Sequence, residues 1–212
     1  EEAIDLSQTY LINNNISLDS SWTTLSQFEP GEIDSHDRFI WESEGQKIYE
    51  RILSTYLDNA RWNIRFVRFE GNVNDKTEEY SVLINHDGTL NQIRHKLPEN
   101  MVGARLDEDS ARTLARDHIN NAFSLSTDNI NEISFEPSNL PNRDDWIFIF
   151  SDISSYDLSS EGDLRIEISI SGDEITSTKR FIHLPEEWER EDINNETFLN
   201  LFRIACFFSI VL

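Results

Sequence analysis

The sequence INNNISL at residues 12–18 returns as INNAFSL at residues 119–125, and this repetition decides how the fold is interpreted. The tripeptide Phe-Glu-Pro at 28–30 likewise returns at 135–137. Both pairs are 107 positions apart (119 − 12 and 135 − 28), so the two copies align without a gap. Self-similarity at this scale indicates one supersecondary unit that the chain uses twice.

A second repetition relates the later parts of the two copies. Trp62 and Gly88 correspond to Trp146 and Gly172, with a common separation of 84 positions (146 − 62 and 172 − 88). Because the separation falls from 107 to 84, the first copy carries about 23 residues (107 − 84) that the second lacks. We expect an inserted helix near 44–60 to supply most of them, because its apolar residues follow helical spacing.

Hydrophobic periodicity predicts a helix followed by an antiparallel meander in each copy. The predicted class is α+β, with two such halves and the helices on one face of each sheet. Asp-Gly before Thr89 and Gly-Asp before Glu174 predict tight hairpin turns. The first half has a predicted helix at 5–16 and strands at 22–28, 38–43, 62–69, 79–85 and 89–96. The second has a helix from Asp107 and strands near 130–135, 146–151, 163–171 and 174–182. We place the first half at 1–100, the second at 101–190, and a juxtamembrane segment with a truncated transmembrane helix at 191–212.

Charge excludes several classes of partner. The chain holds 40 acidic and 18 basic residues, for a net charge of −22. Such a surface repels phosphate backbones, so we expect no nucleic-acid binding. Attachment to anionic lipid through a basic patch is also disfavoured. The single cysteine, Cys206, can form no internal disulfide.

No catalytic or metal-binding pattern is present in the sequence. The five histidines are scattered and never show the i, i+4 spacing of a helical zinc pair. Asp107-Glu108-Asp109 lacks the glycine and distal glutamate of a calcium loop, and helix capping explains it. There is no Gly-x-Ser-x-Gly, and Cys206 lies in an apolar segment unsuited to a thiolate. We therefore expect no catalytic residue, no metal and no cofactor.

The C-terminal segment from Phe198 is strongly apolar, and residues 204–212 carry no charge. A spanning helix needs about 20 apolar residues, so this stretch is too short to cross a bilayer alone. One interpretation is the first part of a transmembrane helix, because the run has no polar face. The other is a C-terminal helix that is buried in the core of the domain. On the first interpretation the membrane-entering residues are Phe198, Leu199, Phe202, Ile204, Phe207, Phe208, Ile210, Val211 and Leu212.

The order of these patterns resembles a known family. EYSVLINHDGTL at 79–90 and LPENMVGARL at 97–106, followed by an Ala-rich helix, resemble a PepSY-type module. WIFIF at 146–150 and FIHLPEEW at 181–188 extend the likeness. Together they resemble the extracytoplasmic N-terminal region of some bacterial CPBP-family intramembrane metalloproteases, the CAAX-protease and bacteriocin-processing group. The resemblance covers most of 60–200 and implies two PepSY-like halves.

The catalytic motif of that family does not appear in this chain. The family uses Glu-Glu-x-x-x-Arg together with histidines inside membrane helices. In Glu186-Glu187-Trp188-Glu189-Arg190 the arginine comes one place too early. No catalytic residue is carried over, and the resemblance implies a metalloprotease core beyond Leu212.

These observations predict a non-catalytic sensing or binding domain. The resemblance implies a place on the extracytoplasmic face of a bacterial membrane, with the C-terminal segment as the anchor and a polypeptide as ligand. The alternative is a free-standing secreted PepSY-type inhibitor or binding protein whose tail packs into its own core.

Overall fold

The computed structural model describes residues 1–69, 77–156, 158 and 161–211, except for the side chains of 69, 196 and 200–211. In this part of the chain, two antiparallel four-stranded sheets and five α-helices form a mixed α+β fold, which confirms the predicted class. The first half runs α1 (Glu2–Asn13), β1 (Thr23–Glu29), α2 (Ser35–Ser43), α3 (Gln46–Ile52), β2 (Arg61–Phe69), β3 (Thr77–Asn85) and β4 (Leu90–Lys96). The second runs α4 (Glu108–Phe123), β5 (Ile130–Asn139), β6 (Asp144–Asp152), β7 (Asp163–Ser171), β8 (Glu174–His183) and α5 (Glu186–Val211).

The strand registers show that Trp62 and Trp146 occupy equivalent positions. Trp62 lies opposite Ile84 in β3, and Trp146 lies opposite Ile170 in β7. A bulge interrupts the next pairing at the same place in both sheets, just before the hairpin that joins the last two strands. Both hairpins use a glycine with positive φ, 84° at Gly88 and 66° at Gly172, and residues other than glycine rarely adopt such a φ. The two halves therefore share one topology of helix and meander.

The separation of 107 positions found in the sequence does not match structurally equivalent residues of the two copies. Ile12 is 68% exposed, whereas Ile119 is fully buried. Leu11 is the buried residue of α1 that corresponds to Ile119, so the helices align at 108 (119 − 11). In the first strands, Phe28 faces Trp62 but Pro137 faces Trp146, which gives 109 (137 − 28). A bulge between Glu132 and Ser134 accounts for the extra position.

The insertion lies between β1 and β2, and it corrects two predictions. Residues 38–43 were predicted as a strand but belong to α2, because the Asp34 side chain accepts hydrogen bonds from the backbone of His36 and Asp37 and starts a helix. Phe39 and Ile40 are both buried, which a helix permits and strand alternation does not. The predicted helix at 44–60 is shorter, since α3 ends at Ile52.

The insertion packs on the second half rather than on its own sheet. A cluster from α2, α3 and the following loop meets the ends of β7 and β8 and the segment after β8. Tyr56 also donates a 2.5 Å hydrogen bond to the carboxylate of Asp152 in β6. Arg38 of α2 forms a bidentate pair with Asp192 of α5, at 2.6 and 3.1 Å. The buried members of this cluster are Phe39, Ile40, Ile52, Tyr56, Leu57, Leu164, Ile182 and Leu184.

Candidate ligand-binding groove

The last strands of the two sheets, β4 and β8, lie side by side at the centre of the molecule. The Gln92 side chain donates a 3.0 Å hydrogen bond from Nε2 to Oγ of Ser177. Three residues further along β4, Nδ1 of His95 lies 2.6 Å from Oε1 of Glu174. Residue numbers rise along β4 while those of their partners fall along β8, so the two strands run antiparallel. Among the described residues no backbone hydrogen bond joins them, so side chains alone hold this seam.

The seam relates the two halves by an approximate twofold axis. Gln92 pairs with Leu83 at the bulge of the first sheet, and Ser177 pairs with Ser169 at the bulge of the second. Gln92 and Ser177 are therefore equivalent residues that contact each other, which places the axis between them. In these strands, equivalent residues are 85 positions apart (177 − 92).

A cavity of about 810 Å³ opens along this seam. Its lining comes from β4, β8, the last turns of α4, the segment after α1 and the loop of the insertion. Apolar side chains, including Phe123, Leu125 and Ile175, lie beside polar and charged ones. The cavity is thus a groove between duplicated units, where extended polar and apolar ligands both find partners.

Basic side chains occur at equivalent positions on the two strands of the seam. Arg94 lies opposite Ser81 in β3, and Lys179 lies opposite Glu167 in β7, so the two are equivalent. The next residues, His95 and Arg180, are equivalent as well. All four line the groove. A pair of consecutive basic residues is therefore present twice, once from each half, in a protein of net charge −22.

Arg94 is a partly buried cation with a neutral partner. Its Nε donates a 3.0 Å hydrogen bond to the amide oxygen of Gln92. Among the described residues, no carboxylate forms an ion pair with it. Burial lowers the pKa of Arg94 and the neighbouring Arg61 cation lowers it further, whereas the carboxylates of Asp58, Glu29 and Glu167 act in the opposite direction. The guanidinium remains charged, and these carboxylates act on it from beyond ion-pair distance.

Arg180 has the same character on β8. Its guanidinium carbon lies 4.6 Å from the ring centre of Phe123 and 5.5 Å from that of Tyr56. Burial lowers its pKa, although the Asp152 carboxylate acts in the opposite direction, and among the described side chains it has no ion-pair partner. Other arginines are neutralised: Arg65 binds Glu79 through two bonds of 2.7 and 2.6 Å, and the pairing holds the pKa of Glu79 below its usual value.

His95 serves the seam in a different way. It is 9% exposed and lies between two carboxylates, with Nε2 3.0 Å from Glu78 and Nδ1 2.6 Å from Glu174. Its ring stacks on Tyr80 at 3.8 Å between centroids. Burial and the carboxylates of Glu174 and Glu78 raise the pKa of Tyr80 to about 12. His95 thus links β8 to the first sheet, and both of its ring nitrogens already have a carboxylate partner.

His118 of α4 completes one wall of the groove. Its Nε2 lies 2.8 Å from Oγ1 of Thr178. Burial lowers the pKa of His118, so the ring is neutral at pH 7. A neutral ring joined to a hydroxyl offers polarity without charge and leaves Arg94, Lys179 and Arg180 as the groove's cations without an ion pair among the described residues.

Of the predicted membrane-entering residues, the structure describes the side chains of Phe198 and Leu199 alone, and these do not line the groove. Phe198 and Leu199 of α5 are 68% and 50% exposed. The side chains of Phe202, Ile204, Phe207, Phe208, Ile210 and Val211, and the whole of Leu212, lie outside the described residues. In the part of the chain that is described, no helix is both long and apolar enough to cross a membrane. The same part contains no cluster of three or more metal-ligating side chains.

Sequence reasoning missed the basic pairs at the seam. The separation of 84 that relates Trp62 to Trp146 matches Arg94 with Thr178 (94 + 84). Only a separation of 85 matches it with Lys179, and this value depends on the lengths of the two hairpin turns, since the turn between Ile84 and Leu90 is one residue longer than the turn between Ile170 and Ile175. The sequence pattern that could have revealed these pairs is the occurrence of two consecutive basic residues in each half, Arg94-His95 and Lys179-Arg180.

Comparison of the chain with family models, with curated proteins and with solved structures gave no match.

Proposed function

We propose that this chain is a non-catalytic binding domain whose central groove holds a polypeptide segment in an extended conformation. The groove is the observation that carries the proposal. It lies where two copies of one unit meet, and each copy brings there the edge strand of its sheet, whose backbone forms no hydrogen bond with the other sheet among the described residues. An extended segment can use backbone groups at such an edge, while side chains beside it supply specificity.

The size and mixed lining of the groove fit a short peptide segment. A volume of about 810 Å³ lies in the upper part of the range of ligand sites. The lining combines apolar side chains, such as Phe123 and Leu125, with polar ones, such as Gln92 and Thr178. Such a mixed lining suits a chain of amino acids with varied side chains.

A fluorescein-labelled pool of random nonapeptides tests the proposal by fluorescence anisotropy. Ala122 is exposed on the last turn of α4 and lines the groove, so Ala122→Trp fills the groove without entering the core. We expect this variant to weaken binding at least about tenfold, a loss of about 1.4 kcal/mol. Asn120→Trp, on the same helix but outside the groove lining, is the matched control and should bind as the unaltered chain does. No binding by any pool, or equal binding by both variants, contradicts the proposal.

The proposal includes membrane attachment through the C-terminal segment, in the setting of a membrane-embedded metalloprotease. The exposed Phe198 and Leu199 support it, because a solvated helix gains little from such residues in water. Co-sedimentation with phosphatidylcholine vesicles is the test. We expect deletion of 204–212 to abolish co-sedimentation and to leave the unfolding transition unchanged. A loss of several kcal/mol in the free energy of unfolding, the scale of removed core side chains, would show that the tail packs into the domain.

A further inference from the structure

We propose that the groove selects acidic peptides, and that Arg94 and Arg180 each receive a carboxylate of the same bound segment. This inference rests on the proposed function and adds the class of ligand. It follows from the consecutive basic residues of β4 and β8, Arg94-His95 and Lys179-Arg180, which the approximate twofold axis places on both sides of the seam.

The first argument is the charge balance of the groove. The chain has more than twice as many acidic as basic residues, and most described arginines are neutralised by carboxylates. Arg94 and Arg180 are partly buried and line one cavity, yet neither forms an ion pair with a described carboxylate. Carboxylates act on both only from beyond ion-pair distance, namely Asp58, Glu29 and Glu167 on Arg94 and Asp152 on Arg180, so an incoming carboxylate would give each its direct ion pair.

The second argument is the geometry of the donors. A guanidinium offers its donors in a planar fork that matches a carboxylate. Arg94 uses Nε for Gln92, which leaves the terminal nitrogens for a ligand. Arg180 is held against the rings of Phe123 and Tyr56, so its orientation is fixed before a ligand arrives. Preorganised donors of this kind bind with a smaller entropic cost.

The third argument concerns what the rest of the surface excludes. A net charge of −22 repels extended polyanions such as nucleic acids. A short peptide with a few carboxylates carries far less charge, and it can place these groups in the groove while its apolar side chains contact Phe123, Leu125 and Ile175. The groove therefore fits a mixed acidic and apolar peptide better than a phosphate polymer.

Two matched pools of nonapeptides test the inference. One pool contains glutamate at two variable positions and the other contains glutamine at the same positions, with all other positions shared. We expect the glutamate pool to bind at least about tenfold more tightly, since hydrogen bonds to charged groups are the stronger ones. Rising salt should weaken the glutamate pool alone.

Variants of the protein assign the effect to the two arginines. The double variant Arg94→Gln with Arg180→Gln should bind both pools equally, and Arg94→Lys with Arg180→Lys should keep a preference for glutamate. Arg190→Gln makes the same charge change at an exposed position of α5, outside the groove, and should change nothing. Thermal unfolding of each variant shows whether it is folded.

The outcomes separate this inference from the proposed function. Equal binding of both pools to the unaltered chain, or a glutamate preference that survives in the double glutamine variant, overturns the inference and leaves peptide binding in place. The absence of binding by either pool overturns both.

Discussion

The two halves share one order of helix and strands, yet they bury their helices differently. In the second half, α4 buries Ala111, Ala115 and Ile119 against a sheet whose strand β7 alternates strictly between buried and partly buried residues. In the first half, the shorter α1 buries only Ser7 and Leu11. The second half therefore builds the larger core, and it also receives the insertion of the first. The two halves share one topology, but the second half buries more side chains in its core than the first does.

The largest effect should distinguish the two sheet cores. Phe150 in β6 and Phe66 in β2 are equivalent, 84 positions apart (150 − 66), and are 0% and 3% exposed. Replacement of a buried phenylalanine by alanine typically costs about 3–5 kcal/mol. We expect Phe150→Ala to lower the free energy of unfolding more than Phe66→Ala does, because Phe150 belongs to the larger cluster. Urea unfolding measures both values, and a larger loss for Phe66→Ala would contradict the comparison.

The second effect concerns the insertion. Ile52 of α3 is fully buried in a cluster that includes Leu164 and Ile182 of the second half. We expect Ile52→Ala to cost about 2–5 kcal/mol, the range for such truncations. Hydrogen exchange should accelerate at Leu164 and Ile182, although the substitution lies in the first half. Ile33→Ala, in the same insertion but 75% exposed, is the control and should stay within about 0.5 kcal/mol. Exchange that quickens only in the first sheet would show that the insertion does not join the halves.

The smallest effect is the response of stability to pH at His118. Burial lowers its pKa below the ordinary value of 6.5, so the unfolded chain binds the proton more readily than the folded one does. The contribution of His118 is complete above pH 6.5 and is lost as the pH falls towards the folded pKa. Urea unfolding at pH 7.5 and 5.5 should therefore show a smaller loss on acidification for His118→Gln than for the unaltered chain. Equal losses would contradict the assigned burial effect.

Much of the fold was predictable because its signals are local. Strict alternation from Leu164 to Ile170 and the capping residue Asp107 predicted β7 and α4, and both are present. The strand predicted at 38–43 was wrong because Phe39 and Ile40 face a core that forms only when the insertion meets the second half. A short window of sequence contains no information about that distant surface.

The groove was not predictable from the same signals. Its position depends on how β4 and β8 meet, and its basic pairs become equivalent only when the different lengths of the two hairpin turns are counted. The membrane anchor, the protease setting and the PepSY-like character of the halves remain predictions from the resemblance. The contacts of Arg94 and Arg180 instead come from three-dimensional packing.

The most direct test of the central claim is a map of amide chemical shifts in the isotope-labelled chain during titration with the glutamate nonapeptide pool. Peptide binding at the seam predicts that the shifts concentrate in β4, β8 and the last turn of α4, with smaller changes in the outer strands β1 and β5. Changes that concentrate in the outer strands, or a spectrum that stays unchanged at saturating peptide, would contradict it.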